Sequence, residues 1–422
     1  MKSTPTIRRT STVPLIALVV ISSLAIVGDE AASMSMVLTA VDQGQPWMVT
    51  WFSLSLAIPA MVLAPFGGAI VDRYDPRKIW VVCLALQSLC ICIAALQDDF
   101  WSRLALLAAS NVINILSSSA AFALLPRLTG PIRIERANSL MAIGSSLAYM
   151  VGPALSAWLF DIVGASLMLG VNAGTTAILA ATAVFLVLRV ERPESTAADS
   201  WNLFGGVRDG WAAIRSSPVV AATMPLLILI MISTSIEAVA GVFWLRQISG
   251  TDTLYGLVLS CWAVGSIIGA YLAGTKRLAP RTMLLIVGGG LCMALAILTE
   301  GLVPIAIIIG GAFVIGGLGN GTHNVGVRNL IFQQIPKAHI GSAWAYYRML
   351  TSTSVAIGYI VGTPRTPSGA QSMVVTAGVC ALAGVLIALV ALRVFRLRGI
   401  HPATKEAPAP EDQADPSTTI SN

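Results

Sequence analysis

The sequence predicts an all-α membrane protein whose twelve transmembrane helices form two pseudo-symmetric six-helix halves. Three observations support this fold class: an apolar composition, twelve apolar runs of spanning length, and an internal repeat. Of the 422 residues, 56% are hydrophobic and only 11% are charged, and the mean hydropathy is +0.80. A soluble chain of this length would need more polar side chains to cover its surface.

Twelve apolar runs are long enough to span a membrane, which takes roughly 17–25 residues. They fall at about 13–40, 47–70, 79–97, 103–126, 138–160, 164–189, 219–246, 253–274, 282–300, 302–330, 340–362 and 370–392. The first run continues past the length of a signal peptide and has no A-x-A cleavage site, which favours an uncleaved first helix.

The distribution of basic residues predicts the orientation. With twelve spans both termini lie on one side, and placing them in the cytoplasm leaves only three of the 26 lysines and arginines outside, namely Arg103, Arg246 and Arg365. The positive-inside rule therefore predicts cytoplasmic termini. This asymmetry also accounts for the net charge of +6, so we expect no nucleic-acid partner.

Two pairs of segments reveal the repeat. "DRYDPR" at 72–77 matches "KRLAPR" at 276–281, and the segment that starts at Pro131 matches the one that starts at Pro336. We predict an N-terminal half, a cytoplasmic linker with an amphipathic helix, a C-terminal half and a disordered cytoplasmic tail. Their boundaries are 1–189, 190–218, 219–394 and 395–422.

The chain offers no pattern typical of a cofactor or metal site. All six cysteines lie within apolar runs, which favours a packing role. The Cys and His spacing does not suggest zinc, and neither a P-loop nor a GxGxxG motif is present. We expect no cofactor, no metal and no catalytic residue.

The loop "GGAIVDRYDPRKIW" at 67–80 gathers five charged residues between two apolar runs. It resembles the motif Gly-x-x-x-Asp-Arg-x-Gly-x-Arg-Lys that joins helices two and three in the major facilitator superfamily. The matching positions, which we call the gating motif, are Gly68, Asp72, Arg73, Arg77 and Lys78. Asp75 stands where the family usually has glycine.

The resemblance covers roughly 10–395 and includes "ERANSL" at 135–140, which is similar to the entry of helix five in macrolide, tetracycline and enterobactin exporters. It implies that Asp72 caps or pairs with a neighbouring helix end, which stabilises the outward-facing state. It also implies that the basic residues of the loop contact anionic lipid.

Two features depart from the family pattern. The helix-five motif is reduced to Gly152 and Pro153, without the following glycine pair. The helix-four arginine common in proton-coupled drug exporters is absent, and Ser110 and Asn111 stand there instead.

Three acids lie about midway along predicted spans: Asp29 and Glu30 in the first, and Glu237 in the seventh. Glu237 is nearly the repeat mate of Glu30. Because charge inside a membrane costs several kcal/mol, such acids normally face a cavity, where they bind protons or cationic substrates. A paired or protonated structural role is the alternative for any one of them.

Asn114 in the fourth span and Asn320 in the tenth are repeat mates, and both spans are expected to line the cavity. His323 either shares a proton with Glu237 or is a hydrogen-bonded interior histidine. The candidate proton and substrate residues are therefore Asp29, Glu30, Glu237, His323, Asn114 and Asn320.

The resemblance implies a monomeric bacterial inner-membrane transporter that exports an amphiphilic small molecule by proton antiport, as in multidrug resistance. A siderophore or other metabolite exporter is the first alternative. A polytopic membrane enzyme is the second, but it would need a catalytic cluster at an aqueous interface. The acids of the predicted outer loops do not suggest such a cluster; they are Asp42, Asp98, Asp99, Asp161, Asp252 and Glu300.

Overall fold

The computed structural model describes residues 13–128, 134–188, 203–336 and 340–397, and within these ranges the chain is almost entirely helical. The predicted tail from 398 onward and linker residues 189–202 lie outside them. The helices are α1 Val13–Asp42, α2 Pro46–Arg73, α3 Pro76–Ala95, α4 Phe100–Leu128, α5 Ile134–Val187, α6 Leu203–Ser216, α7 Pro218–Ser249, α8 Thr253–Ala273, α9 Thr282–Leu302, α10 Ala306–Gln334, α11 Ile340–Val361 and α12 Ala370–Leu397.

The described helices supply the twelve crossings that the sequence predicts. Ten segments are long and apolar enough to span a membrane, and one of them, Leu140–Val187, has 48 residues, enough for two passes. The 22-residue α11 completes the set. The division of α5 into two arms falls at Gly164, whose φ of 70° and ψ of 172° suit glycine and interrupt the helix.

Helix starts follow local chemistry. Both α3 and α7 begin with proline at the first helical position, directly after a capping side chain. Asp75 accepts a hydrogen bond from the backbone N–H of Arg77 at 3.1 Å, and its carboxylate also pairs with the Arg77 guanidinium at 2.8 Å. The aspartate that departs from the family pattern thus caps α3. Arg77, which we predicted to contact lipid, pairs with this carboxylate.

The packing of the two halves repeats with a shift of six helices when the second arm of α5 is counted as the sixth. In the N-terminal half α1 packs on α5, α2 on α4, and α3 on α4 and α5. In the C-terminal half α7 packs on α11 and α12, α8 on α10, and α9 on α10 and α12. Between the halves, α5 meets α8 and α2 meets α11. The predicted fold class is confirmed.

Among the described side chains, the halves share a hydrophobic core at one end. We call this the closed end; it carries the α1–α2, α7–α8 and α11–α12 connections. One buried cluster there combines Met36 and Phe52 of the N-terminal half with Val242, Phe243 and Phe313 of the C-terminal half. Toward the opposite end the described side chains form separate clusters, one centred on α3 and α4 and the other on α7 and α10.

Polar contacts also join the halves at the closed end. Arg246 at the end of α7 pairs with Asp42 of α1 at 2.6 Å and with Asp252, in the α7–α8 connection, at 3.4 Å. The hydroxyls of Thr50 in α2 and Thr363 after α11 hydrogen-bond to each other. One of the three arginines expected outside therefore forms an ion-pair bridge between the halves.

The α9–α10 boundary corrects the sequence prediction. We placed Glu300 in an outer loop, but α9 continues to Leu302, and Glu300 is fully buried in its last turn. The next helix begins only at Ala306, after Pro304. Pro304 accounts for the break between the two helices, because the residue before a proline rarely adopts helical geometry. The break therefore comes after Glu300, and Glu300 itself is helical.

Candidate functional site

Each half encloses a cavity whose lining includes one acid and at least one asparagine. The N-terminal cavity has a volume of about 290 Å³ and lies among the first five helices. Its polar lining consists of Asp29, Ser33, Gln87, Ser110, Asn111, Asn114, Tyr149 and Asn172. Two predicted residues, Asp29 and Asn114, therefore share one cavity, as expected from cavity-facing acids and amides.

Asn172 in the second arm of α5 orients Asp29. The Asn172 amide hydrogen-bonds to the Asp29 carboxyl group, and Thr176 donates to the Asn172 amide oxygen at 3.4 Å. Asn172 is 2% exposed, whereas Asp29 opens into the cavity. We did not predict Asn172 from the sequence, because a single asparagine in an apolar run carries no mark of its partner.

The helix-four position expected to carry arginine has a different role. The amide of Asn111 donates to the backbone carbonyls of Ser55 at 3.2 Å and Leu56 at 3.1 Å, which ties α4 to α2. Among the described side chains, no lysine or arginine forms an ion pair with Asp29, Glu30 or Glu237.

The C-terminal cavity, of about 240 Å³, is mostly apolar and aromatic. Glu237 and Asn320 lie in its wall together with Thr234. The other lining residues are Met231, Leu259, Trp262, Met293 and Phe313. The rings of Trp262 and Phe313 lie 5.6 Å apart in a tilted arrangement. One carboxyl group among aromatic and thioether side chains suits an amphiphilic cation.

Asn320 is fixed by two hydrogen bonds. Its amide donates to the hydroxyl of Ser266 in α8 at 3.1 Å, and its oxygen accepts from Asn324 at 3.0 Å. The repeat mates Asn114 and Asn320 thus line corresponding cavities in the two halves.

His323 is fully buried between α9 and α10. Its Nδ1 lies 3.0 Å from the backbone carbonyl of Ile286, so Nδ1 donates this hydrogen bond. Ile286 precedes Glu300 by fourteen residues on α9, about 21 Å along the axis at 1.5 Å per residue. The contacts agree with a hydrogen-bonded interior histidine, and the structure does not bring His323 to the cavity wall beside Glu237.

Glu30 and the helix-five motif meet at the interface of the halves. A Cβ on Gly152 would lie 2.9 Å from the Cβ and Cγ of Glu30, so only glycine leaves room for this side chain. The carbonyl of Pro153 lies against Gly256 of α8, where an added Cβ would approach it to 2.6 Å. Gly152 therefore allows α5 to approach α1, and Gly256 allows α8 to approach α5 at Pro153.

The structure adds one acid that the sequence prediction misplaced. The carboxyl groups of Glu237 and Glu300 both point over Gly241, in contact distance of the space that a side chain there would fill. The sequence signal that could have placed Glu300 within α9 is Pro304. A helix is expected to end just before a proline, and Pro304 comes four residues after Glu300.

The gating motif lies at the end of α2 and the start of α3. Its Gly68, Asp72 and Arg73 fall within α2, but their side chains lie outside the described residues. Lys78 is exposed on the first turn of α3. The capping role of Asp72 therefore stays a prediction.

Twelve apolar crossings in two repeated halves, each half with a cavity lined by an acid, are typical of a membrane transporter. The sequence model of the Major Facilitator Superfamily matches residues 18–359. The chain belongs to this superfamily, whose members are transporters and not enzymes.

Curated relatives are distant in sequence. The chain is 22% identical to the uncharacterized MFS-type transporter YfiS of Bacillus subtilis, over 80% of this chain and 77% of the relative. It is 22% identical to macrolide efflux protein A of Streptococcus pyogenes, over 75% and 80% of the two chains. It is also 22% identical to macrolide efflux protein A of Enterococcus faecalis, over 74% and 98%.

Solved structures share the fold. A bacterial homologue of the iron transporter ferroportin in an inward-facing state aligns with a TM-score of 0.72 at 16% identity, over 91% of this chain and 99% of that one. The nucleoside transporter NupG aligns with a TM-score of 0.71 at 13% identity, over 91% and 99%.

Proposed function

We propose that this transporter exports cationic, amphiphilic small molecules from the bacterial cytoplasm by proton antiport, with alternating access between its two halves. The observation that carries this proposal is the pair of acid-bearing cavities, one in each half. Asp29 and Glu237 place a carboxyl group in each cavity without an ion-pair partner among the described side chains. The 22% identity to macrolide efflux proteins agrees with export.

The chemistry of the cavities supports an amphiphilic substrate. Small-molecule sites have volumes of about 300–1,000 Å³, so each cavity alone is too small for a drug-sized ligand. A molecule that engages both would place hydrogen-bonding groups among the amides near Asp29 and Asn114. Its apolar, cationic part would lie between Trp262 and Phe313, beside Glu237.

The packing supports alternating access. The halves share a core and an ion-pair bridge at the closed end, whereas the described cores are separate toward the opposite end. The orientation inferred from the basic residues makes the closed end the outer one. We therefore interpret this arrangement as inward-facing, with the substrate entering from the cytoplasm. Outward release then requires rupture of the closed end.

Proton coupling follows from competition for the acids. The helix-four position that carries arginine in many proton-coupled exporters holds Asn111, which is bound to the α2 backbone. No guanidinium there can expel a proton from a nearby acid. A cationic substrate can do so directly, because its charge stabilises the carboxylate that the proton leaves.

Dye and drug efflux from cells tests the function. Cells that overproduce the protein should expel ethidium, a lipophilic cation, and should tolerate erythromycin, a macrolide with a tertiary amine. Cells with Glu237→Gln at equal abundance should lose both effects, and cells with Asp98→Asn, an exposed acid, should keep them. If no cation is exported but an anionic metal chelate is, the siderophore-exporter alternative replaces this proposal.

A further inference from the structure

The carboxyl groups of Glu237 and Glu300 form a buried pair across α7 and α9. A Cβ on Gly241 would lie 2.7 Å from Oε1 of Glu237 and 2.9 Å from Oε1 of Glu300. The two oxygens therefore lie no more than about 6 Å apart, which is close enough for two carboxyl groups to interact strongly. We call these two residues the carboxyl pair.

The carboxyl pair has no counter-charge among the described residues. Glu300 is 0% exposed and Glu237 is 7% exposed. Among the described residues, neither carboxyl oxygen of Glu300 has a hydrogen-bond partner, nor does Oε1 of Glu237. The nearby indole N–H of Trp244 donates to the backbone carbonyl of Glu300 at 2.8 Å, not to its carboxyl group. These three oxygens thus lack, within the described part of the chain, the donors that buried carboxylates normally have.

The titratable neighbours of the carboxyl pair are themselves neutral or acidic. Tyr255 of α8 lies within electrostatic range of both members and of Glu30 from the N-terminal half. Tyr359 of α11 lies within range of Glu237. The hydroxyl of Tyr255 is directed to the backbone carbonyl of Ala238 at 3.5 Å, so it gives the pair little compensation. A second negative charge on the pair would therefore be uncompensated.

The repulsion between the two carboxylates requires a compensating cation, and a proton fits the site best. Two adjacent carboxylates in a site of low dielectric repel each other, and one shared proton removes the repulsion. A metal ion needs more oxygen ligands than two carboxyl groups supply. The described chain also has no group of three or more His, Cys, Asp and Glu side chains suited to a metal.

We propose that Glu237 and Glu300 together bind the exchanged proton, and that Glu300 is the member closer to the outer surface. Glu237 lies in the wall of the C-terminal cavity, whereas Glu300 lies behind it in the last turn of α9, two residues before Leu302. The pair thus connects the closed end with the cavity. This inference rests on the proposed antiport and names the site that performs it.

Gly241 is part of the same site. A methyl group there would lie too close to both carboxyl oxygens, at distances that real side chains do not tolerate without a shift. Gly241→Ala should therefore separate the pair without removing either acid, which makes it a useful second perturbation.

Infrared difference spectroscopy between low and high pH tests the carboxyl pair on the purified full-length protein, without any substrate. The wild type should show a protonated-carboxyl band that both Glu237→Gln and Glu300→Gln remove. Gly241→Ala should shift its titration midpoint by at least about one pH unit, a tenfold change in proton affinity. Asp98→Asn, an exposed acid in the α3–α4 connection, is the matched control and should leave the band unchanged.

Several results would overturn the proposal. A band that Glu237→Gln removes but Glu300→Gln leaves unchanged would make Glu237 a lone acid. Displacement of the band by sodium at constant pH would make the site a sodium site. If Glu300→Gln does not fold, Glu300→Asp replaces it and should shift the midpoint; an unchanged midpoint counts against the pair. The infrared spectra involve no transported compound, so they test the carboxyl pair alone. The efflux assay tests the proposed function separately.

Discussion

Replacement of Arg246 by glutamine should weaken the closed end. Arg246 holds Asp42 of α1 and Asp252 of the α7–α8 connection in one ion-pair bridge. Without the guanidinium, two carboxylates from different halves face each other with no cation between them. We expect the halves to separate more readily at this end, which favours the outward-facing state.

The magnitude follows from the exposure of the three side chains. The Arg246 and Asp42 side chains are 35% and 45% exposed, whereas that of Asp252 is only 3% exposed. Removal of one partner costs about 3–5 kcal/mol in a buried pair, and an exposed pair contributes about 0–1 kcal/mol. A value of about 2 kcal/mol lies between them and corresponds to roughly a thirtyfold change in the open-to-closed ratio.

The pH dependence gives this prediction a distinct signature. Burial raises the pKa of Asp252 to about 6 from its ordinary 3.8, while Arg246 opposes the increase. When the closed end opens, Asp252 is exposed to water and its pKa returns toward 3.8. The carboxyl group of Asp252 therefore binds a proton more tightly in the closed state than in the open state. Acidification through about pH 6 therefore favours closure. In Arg246→Gln the pKa of Asp252 rises further, so low pH should restore much of the lost closure.

Disulfide cross-linking measures closure directly. The hydroxyls of Thr50 and Thr363 touch at the closed end, so Thr50→Cys with Thr363→Cys should cross-link in the closed state of a cysteine-free background. Arg246→Gln should slow this reaction at about pH 8 and much less at about pH 5. Arg365→Gln, at an exposed arginine of the same end, is the control. Equal rates for Arg246 and Arg246→Gln at about pH 8 would refute the reasoning.

Three further predictions concern packing, gating and topology. Gly256→Val should destabilise the protein by about 1–3 kcal/mol and abolish efflux, because an α5 carbonyl leaves no room for its side chain. Gly274→Ala, with only loose neighbours, should lower neither melting temperature nor efflux. Asp72→Asn should abolish efflux at equal abundance, and normal efflux would exclude its gating role. In intact cells an impermeant thiol reagent should label Gln97→Cys but not Ala198→Cys; the opposite result would invert the topology.

Hydropathy and repeat spacing predicted the fold because a membrane requires long apolar helices with internally satisfied backbones. The same signals placed Asp29 and Glu237 in cavities, since intramembrane acids rarely face lipid. Hydropathy did not place Glu300 correctly, because the apolar run was assumed to end at this charged residue, whereas α9 continues to Leu302. Pairwise contacts such as Glu237 with Glu300 join residues 63 positions apart and leave no trace in local pattern.

The central claim, proton-driven export of a cation, is tested most directly by transport into inside-out membrane vesicles. Vesicles with an acidic interior should accumulate ethidium, and collapse of the pH gradient with a protonophore should abolish the accumulation. Glu237→Gln should accumulate none under either condition, while Asp98→Asn should match the wild type. Wild-type accumulation that is equal with and without the pH gradient would contradict proton antiport.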